Sequence, residues 1–221
     1  MNIAWILLYT LITHGLEIVI FFKVDGIGIT FERIFKAFLF KILLAFVFLM
    51  IEYMVGYNYL FYFMEPLYGI GLSFLLLRGL PKKLLLFYGL FPMILVNLFH
   101  RGVSYFVLPF LGQGQVYDDY SFAWLCIIIF NFFISLVFLK WLDYDFTNLR
   151  REILDKGFQQ SLTTINWIMG AYYLVMQSLS FFEYEQGIQS TTVRHLILVF
   201  YLLFFMGIIK KLDTYLKDKL H

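Results

Sequence analysis

Long apolar blocks, several of them near the length of a membrane-crossing helix, are the feature that most constrains the fold. A transmembrane helix needs about 20 predominantly apolar residues, and a soluble protein of this size cannot bury several such blocks. Hydrophobic residues make up 62% of the chain and charged residues 14%, against about 45 to 50% and about 25% in soluble domains. We therefore predict an all-α fold, a polytopic membrane helical bundle.

Hydropathy along the chain predicts seven transmembrane helices. Their approximate ranges are 3–22, 35–54, 57–77, 84–110, 122–140, 162–182 and 195–210. The fourth range is long enough to tilt or kink, and it contains Pro92 and Pro109. Between the fifth and sixth ranges, apolar residues at helical spacing predict an amphipathic helix on the inner membrane surface. These residues are Phe146, Leu149, Ile153, Leu154 and Phe158.

The positions of the basic residues test this number of crossings. They cluster after the first, third, fifth and seventh predicted helices: Lys23, Arg33 and Lys36; Arg78, Lys82 and Lys83; Lys140, Arg150, Arg151 and Lys156; Lys210, Lys211, Lys217 and Lys219. By the positive-inside rule, this alternation predicts an external N-terminus and a cytoplasmic C-terminus. The predicted location is the bacterial cytoplasmic membrane.

Charged residues inside predicted spans are costly and call for partners. Glu17 lies about five residues from the cytoplasmic end of the first helix, and Lys41 lies about five residues into the second helix from the same side, so their depths match. We predict a structural ion pair between them. Assembly of the bundle is the favoured role for this pair over a direct function.

Glu65 and Arg101 are both predicted in the outer half of the membrane, on the third and fourth helices. Pro66 follows Glu65 and removes one backbone donor, which predicts a kink, and His100 precedes Arg101. The group forms either a hinge or the floor of an outward-facing ligand pocket, or else a purely structural salt bridge. The sequence leaves these alternatives open.

The predicted outer loops are acidic and aromatic. Few basic residues lie near Asp118 and Asp119 in the sequence. The two carboxylates either attract a cationic peptide or simply reflect the depletion of lysine from these loops. Tyr62 belongs to a small set of outer tyrosines that offer a surface to a hydrophobic peptide. We take Glu65, Arg101, His100, Tyr62, Asp118 and Asp119 as the candidate ligand-binding residues.

Motifs of catalysis and metal binding are missing from the sequence. The four histidines have no metal-ligand spacing, so no metal or other cofactor is expected in this chain. Cys126 and His100 could form a thiol protease pair, but a single buried cysteine is far more often an apolar filler. With a net charge of +2, nucleic acid is an unlikely partner. We predict no enzyme activity for these residues.

After the seventh predicted helix, Ile209, Leu212 and Leu216 continue at helical spacing with no helix breaker before the end. A transmembrane helix that runs into such a segment is suited to passing motion inward. The chain also contains Glu65-Pro66-Leu67-Tyr68, Phe87-Tyr88-Gly89-Leu90 with Pro92, and Leu98-Phe99 with Arg101, in this order. These residues resemble the sensor region of the BlpH and ComD type peptide-pheromone receptor histidine kinases of Gram-positive bacteria, most strongly the BlpH branch.

The resemblance implies a secreted peptide ligand, a homodimer, and a cytoplasmic kinase domain that uses ATP and phosphorylates a response regulator. That kinase apparatus is absent here, because Arg194-His195 lies at the external end of the seventh predicted helix and lacks the surroundings of the family's phosphorylated histidine. The expected organisation is a peptide-sensing membrane domain over 1–210 and the start of a signalling helix over 211–221. ATP and the response regulator are expected only for the missing kinase.

Three functions compete on the sequence alone. The favoured one is the sensor half of a two-component quorum-sensing receptor for a bacteriocin or competence-type pheromone. A small stand-alone transporter or bacteriocin immunity protein is the alternative, with Glu65, His100 and Arg101 along a substrate path. A membrane peptidase using Cys126 is the least favoured.

Overall fold

The computed structural model is helical in all the regular structure that it describes, with no strand among those residues. The described residues are 3–56, 63–111, 122–142, 146–151 and 155–186, with positions 199, 203, 206, 207 and 210. The helices are α1 (Ile3–Asp25), α2 (Phe31–Val55), α3 (Met64–Leu76), α4 (Lys82–Leu111), α5 (Phe122–Leu142) and α6 (Lys156–Gln186), and a short 3₁₀ helix spans Phe146–Arg150. The all-α prediction is confirmed for this part of the chain.

Three helical stretches are long and apolar enough to cross a membrane: Ala4–Asp25, Phe31–Val55 and Lys82–Phe99. Two shorter apolar helices accompany them, Met64–Leu76 and Leu125–Trp141. This supports a membrane protein. The seven crossings and their orientation stay predictions, and the seventh predicted range lies almost wholly outside the described residues.

The turn between α1 and α2 shows why α2 begins at Phe31, four residues before the predicted start. Gly26 adopts a φ of 61°, and the Ile27 N–H donates to the Phe22 carbonyl at 2.9 Å, the pattern of a Schellman motif that ends α1. Thr30 then caps α2, because its hydroxyl accepts from the Arg33 N–H at 3.4 Å. The hydropathy minimum at Glu32 and Arg33 hid this start from a sequence window.

The chain divides into two compact units, and the first comprises Met1–Phe38 and Pro92–Phe146. In this unit α1 packs against α5. The Asn131 side chain of α5 donates to the Val96 carbonyl of α4 at 3.1 Å, and the Phe99 and Phe138 rings meet edge to face at 5.2 Å between centroids. A polar bond and an aromatic contact therefore join α4 and α5.

The second unit comprises Leu39–Phe91 and Thr147–His221. Its α3 and α4 are joined by only five residues, 77–81, where Gly79 has a φ of 94° that other residues rarely adopt. The buried Ser73 hydroxyl of α3 lies 2.7 Å from the Leu85 carbonyl of α4. On α6, Asn166 donates to the Lys83 carbonyl at 2.8 Å. These bonds tie α3 and α6 to the first turns of α4.

The predicted amphipathic helix over Phe146 to Phe158 is wrong as a single element. The 3₁₀ helix ends at Arg150 and α6 begins at Lys156, while Ile153 and Leu154 lie outside the described residues. Phe146, Leu149 and Phe158 are buried by protein rather than laid against a membrane surface. Apolar periodicity alone cannot distinguish a protein-facing stripe from a lipid-facing one.

One face of α2 is left uncovered by the protein. Large apolar side chains that are more than two-fifths exposed line it: Phe35, Leu39, Ile42, Leu43, Phe46 and Met50. In water such an apolar surface would favour aggregation, whereas in a bilayer it is the normal lipid-facing side of a helix. The exposed face of α2 thus agrees with its length and composition.

Candidate functional site

A buried ion pair joins α2 and α3 within the second unit. The Lys41 ammonium lies 3.0 Å from one carboxylate oxygen of Glu65. The lysine side chain is 4% exposed and that of Glu65 is 33% exposed. A charge removed from water to this degree needs a close counter-charge, which each residue supplies to the other.

Two stacked aromatic rings, those of Tyr68 and Phe40, lie beside this pair. The Lys41 ammonium also stands 4.9 Å from the centre of the Tyr68 ring, and Tyr68 is fully buried one helical turn after Glu65. The Phe40 ring stacks on Tyr68 with centroids 5.9 Å apart. Glu65 and Tyr68 thus present a carboxylate and a π face to the same ammonium.

The level of this pair along α2 differs from the prediction. Lys41 is the eleventh residue of the 25-residue helix α2, so it lies near the middle rather than close to the cytoplasmic end. Glu65, predicted in the outer half of the third helix, lies in the first turn of α3 and reaches that same level. The contact shows that the two side chains meet, and the membrane depths predicted for them stay predictions.

The position of Pro66 also differs from expectation. Since α3 begins at Met64, Pro66 lies in the first helical turn, where the missing N–H has no intrahelical acceptor to lose. Pro66 therefore removes no hydrogen bond within α3, and the kink of the predicted span over 57–77 stays a prediction because residues 57–62 lie outside the described part of the chain. Glu65 in this turn instead places a carboxylate at the positive end of the helix dipole.

A glycine allows α2 and α3 to approach each other beside the pair. A Cβ on Gly71 of α3 would overlap the Phe40 ring of α2. Because Phe40 neighbours Lys41 and stacks on Tyr68, the small residue at 71 helps to set where the ammonium meets its partners. The close helix approach therefore supports the geometry of the pair.

Glu17 has a different contact within the first unit. One of its carboxylate oxygens lies 3.2 Å from Nδ1 of His14, and both side chains are about a quarter exposed. The sequence had assigned no role to His14. The predicted pair of Glu17 with Lys41 would join residues of the two units, and it stays a prediction.

Most of the other predicted ligand-binding residues fall outside what the structure describes. Tyr62, Asp118 and Asp119 lie outside the described residues. His100 and Arg101 belong to α4, but their side chains lie outside the description. The proposed contact of Arg101 with Glu65 therefore remains a prediction.

Cys126 of α5 is free and exposed, so the expectation of a buried apolar filler at this position is wrong. The described ranges contain no group of three or more His, Cys, Asp or Glu residues arranged to hold a metal ion. The site formed by Lys41, Glu65 and Tyr68 is electrostatic and aromatic in character. It is suited to holding α2 and α3 in one arrangement.

Sequence reasoning missed the contact of Lys41 with Glu65 and Tyr68, although a signal for it was present. An acidic residue followed by proline is typical of the first turn of a helix, and Glu65-Pro66 has this pattern. A helix start at Met64 places Glu65 in the first turn of α3 and Tyr68 three residues later on the same face. The hydropathy window instead began the helix at 57.

Comparisons of the chain with protein-family models, with curated proteins and with solved structures find no match. The resemblance to BlpH and ComD type receptors therefore stays a prediction carried by the residues quoted for it. The functional argument below depends on the geometry of the pair and its aromatic neighbours.

Proposed function

We propose that this chain is the membrane sensor domain of a peptide-pheromone receptor of the BlpH and ComD type. The observation that supports it most is the buried contact between Lys41 of α2 and Glu65 of α3. Ionisable residues in an apolar helical region are expensive and are retained mainly where they act. A pair that bridges two helices can hold a resting arrangement that a ligand releases.

In this proposal a secreted peptide binds at the outer side of the bundle, to Tyr62, His100, Arg101, Asp118 and Asp119. Binding moves α3 relative to α2 and separates the Lys41 and Glu65 charges. The shift passes to the predicted last helix, 195–210, and on to the signalling helix over 211–221. In a homodimer, that movement sets the activity of an attached histidine kinase and its response regulator.

The energies involved suit such a switch. Because the Glu65 side chain keeps a third of its surface exposed, the coupling between the two charges is expected to be about 1 to 3 kcal/mol. Moving a two-state equilibrium from 1:99 to 99:1 requires about 5.5 kcal/mol of differential ligand affinity. One ion pair, with its cation–π contact, therefore supplies part of the free energy that would hold a resting state.

The test uses the chain in bacterial membrane vesicles. The probes are synthetic copies of each short secreted peptide encoded beside its gene. One peptide is expected to protect residues 112–121 from protease and to crosslink at Tyr62. Its apparent affinity should change at least about tenfold in Glu65→Gln and Arg101→Ala, since a switch of a few kcal/mol is coupled to binding.

The control for this test is Glu32→Gln. Glu32 is an exposed acidic residue of α2 that pairs with Lys36, so its loss should leave peptide binding unchanged. All variants must insert in the membrane at the level of the parent chain. If no encoded peptide binds, or if both Glu65 and Arg101 variants bind as the parent does, the sensor proposal is wrong.

The start of α3 supports a second candidate, a small transporter or bacteriocin immunity protein. A 13-residue helix whose first turn reaches the middle of α2 is similar to the interrupted helices that form substrate sites in transporters. Uptake assays in liposomes distinguish the two functions. Peptide-independent substrate flux that is lost in Glu65→Gln would favour transport over sensing.

A further inference from the structure

The two members of the Lys41 and Glu65 pair differ in how far the protein covers them. The Lys41 side chain is 4% exposed, whereas that of Glu65 is 33% exposed. Only one carboxylate oxygen of Glu65, Oε1, faces the ammonium at 3.0 Å, and Lys41 is the one partner of this carboxylate in the described part of the chain. A ligand can therefore reach the carboxylate, while the ammonium is covered.

The length of α3 indicates how deep this carboxylate lies. The helix α4 is apolar enough to cross a membrane and begins with Lys82 and Lys83, so the five-residue α3–α4 connection lies close to one membrane surface. Leu76 ends α3 eleven residues after Glu65, which is about 16 Å along the helix axis. Because the hydrocarbon core is about 30 Å thick, Glu65 lies roughly 14 Å short of the opposite surface.

The uncovered side of Glu65 needs polar surroundings at this depth. Since α3 begins at Met64, the chain enters this helix within the hydrocarbon region rather than at its edge. Helix starts and carboxylates are tolerated there only where protein covers them or where they line a water-filled cavity. Protein leaves one third of the Glu65 side chain uncovered, so this part of it faces a polar cavity rather than lipid.

The chemistry of a carboxylate determines which ligand group suits this cavity. An ionised carboxylate only accepts hydrogen bonds, and its strongest partners are ammonium and guanidinium groups. Such a cation would meet the side of Glu65 that Lys41 leaves open. It would also compete with Lys41 for the negative charge, because both cations draw on one carboxylate.

We propose that the uncovered side of Glu65 is a subsite for an ammonium or guanidinium group of the peptide ligand, an inference that rests on the sensor function proposed above. The bound cation shares the carboxylate with Lys41 and weakens the hold of α3 on α2. This competition gives the ligand different affinities for the paired and the separated arrangement, which any ligand-driven shift requires. The ligand class is a peptide that places a basic side chain or a free N-terminus in this cavity.

The experiment is a double-mutant cycle between peptide and chain, measured as binding to bacterial membrane vesicles. The probes are the synthetic copies of the peptides encoded beside the gene, together with versions in which one lysine is replaced by norleucine, one arginine by citrulline, or the N-terminus is acetylated. One of these neutralisations should weaken binding to the parent chain about tenfold or more, but binding to Glu65→Gln less than about twofold. The matched control is Glu32→Gln, which removes an exposed carboxylate of α2 and should preserve the tenfold loss.

A second cycle uses Lys41→Met and does not depend on how well Glu65→Gln inserts in the membrane. Without the competing ammonium, the unmodified peptide should bind about fivefold tighter or more, and the neutralised peptide should gain less than about twofold. The difference arises because only the unmodified peptide carries the cation that replaces Lys41. Easier separation of the helices by itself would tighten the binding of both peptides equally.

The results that would overturn the subsite are distinct from those that would overturn the sensor function. If the unmodified peptide binds but every neutralisation has the same effect on the parent chain and on Glu65→Gln, the cation subsite is wrong and the sensor function stands. Equal gains of both peptides in Lys41→Met lead to the same conclusion. If no encoded peptide binds the parent chain, both proposals fail.

Discussion

Gly89 of α4 lies against the backbone of Ile70 of α3, so that a Cβ built on the glycine would stand 2.6 Å from the Ile70 Cα. Such a distance is possible only because glycine has no side chain. The neighbouring atoms are backbone and cannot rotate away. Close helix approach at small residues is a main source of stability when lipid removes the hydrophobic drive for association.

Gly89→Ala should therefore destabilise the chain by about 2 kcal/mol, since α3 and α4 must move apart to admit the methyl group. The measurement is the free energy of unfolding in mixed micelles titrated with denaturing detergent. Gly170→Ala on α6 is the control, because a Cβ there meets nothing within 4 Å. It should be neutral or stabilise by up to about 1 kcal/mol, through the higher helix propensity of alanine. Equal effects of the two substitutions would contradict the close approach of α3 and α4.

The Lys41 and Glu65 pair should show strong energetic coupling. In a double-mutant cycle with Lys41→Met and Glu65→Met, the double variant should lose less stability than the sum of the single variants, by about 1 to 3 kcal/mol. Methionine keeps much of each side chain's volume, so the cycle reports mainly on charge. The same unfolding titration provides all four free energies.

The chain offers a matched surface cycle for comparison. Glu32 and Lys36 form an exposed i, i+4 pair on the same helix, and their coupling should be only about 0.3 to 0.5 kcal/mol. Raising the salt concentration should erase most of this surface coupling and leave that of the buried pair. Coupling of Lys41 and Glu65 no larger than that of the surface pair would show that the contact contributes little.

The Tyr68 ring is expected to stabilise the Lys41 ammonium through its π face. Tyr68→Phe keeps the ring and its stacking on Phe40, while Tyr68→Leu removes both. The second variant should therefore be less stable than the first by about 1 to 2 kcal/mol. Repeating both substitutions in a Lys41→Met background separates the two contributions. If the difference between Phe and Leu is the same in both backgrounds, the cation–π contact has no measurable effect.

The sequence predicted the helical class and the approximate ranges of α1, α2, α4, α5 and α6, because long apolar blocks are dictated by bilayer thickness. It did not predict the contact of Lys41 with Glu65. A hydropathy average counts Glu65 as one charged residue within a longer apolar block. In the structure, Glu65 lies in the first turn of the shorter helix α3. Partners across helices depend on where each helix begins, and an error of a few residues changes the depth of a side chain by several ångströms.

Local turn chemistry carried information that periodicity did not. Gly26 and Thr30 end α1 and begin α2 through a left-handed residue and a hydroxyl cap, and both residue types are typical of these positions. The burial of Leu149 and Phe158 shows what periodicity cannot predict. Their spacing fits a helix face, but only packing decides whether that face meets lipid or protein.

The seven crossings and their orientation lead to a labelling prediction that needs no ligand. With Cys126→Ser as background, single cysteines replace Ile29 in the α1–α2 turn, Leu80 in the α3–α4 connection and Gly114 in the segment after α4. If the basic connections face the cytoplasm, a membrane-impermeant maleimide on intact cells should label only the cysteine at 114. Those at 29 and 80 should react after the cells are opened, which shows that they are accessible to solvent. Gly79 is avoided because its positive φ would strain any replacement. External labelling at 29 or 80 would invert or break the predicted alternation, and with it the route by which the last helix is proposed to reach the cytoplasm.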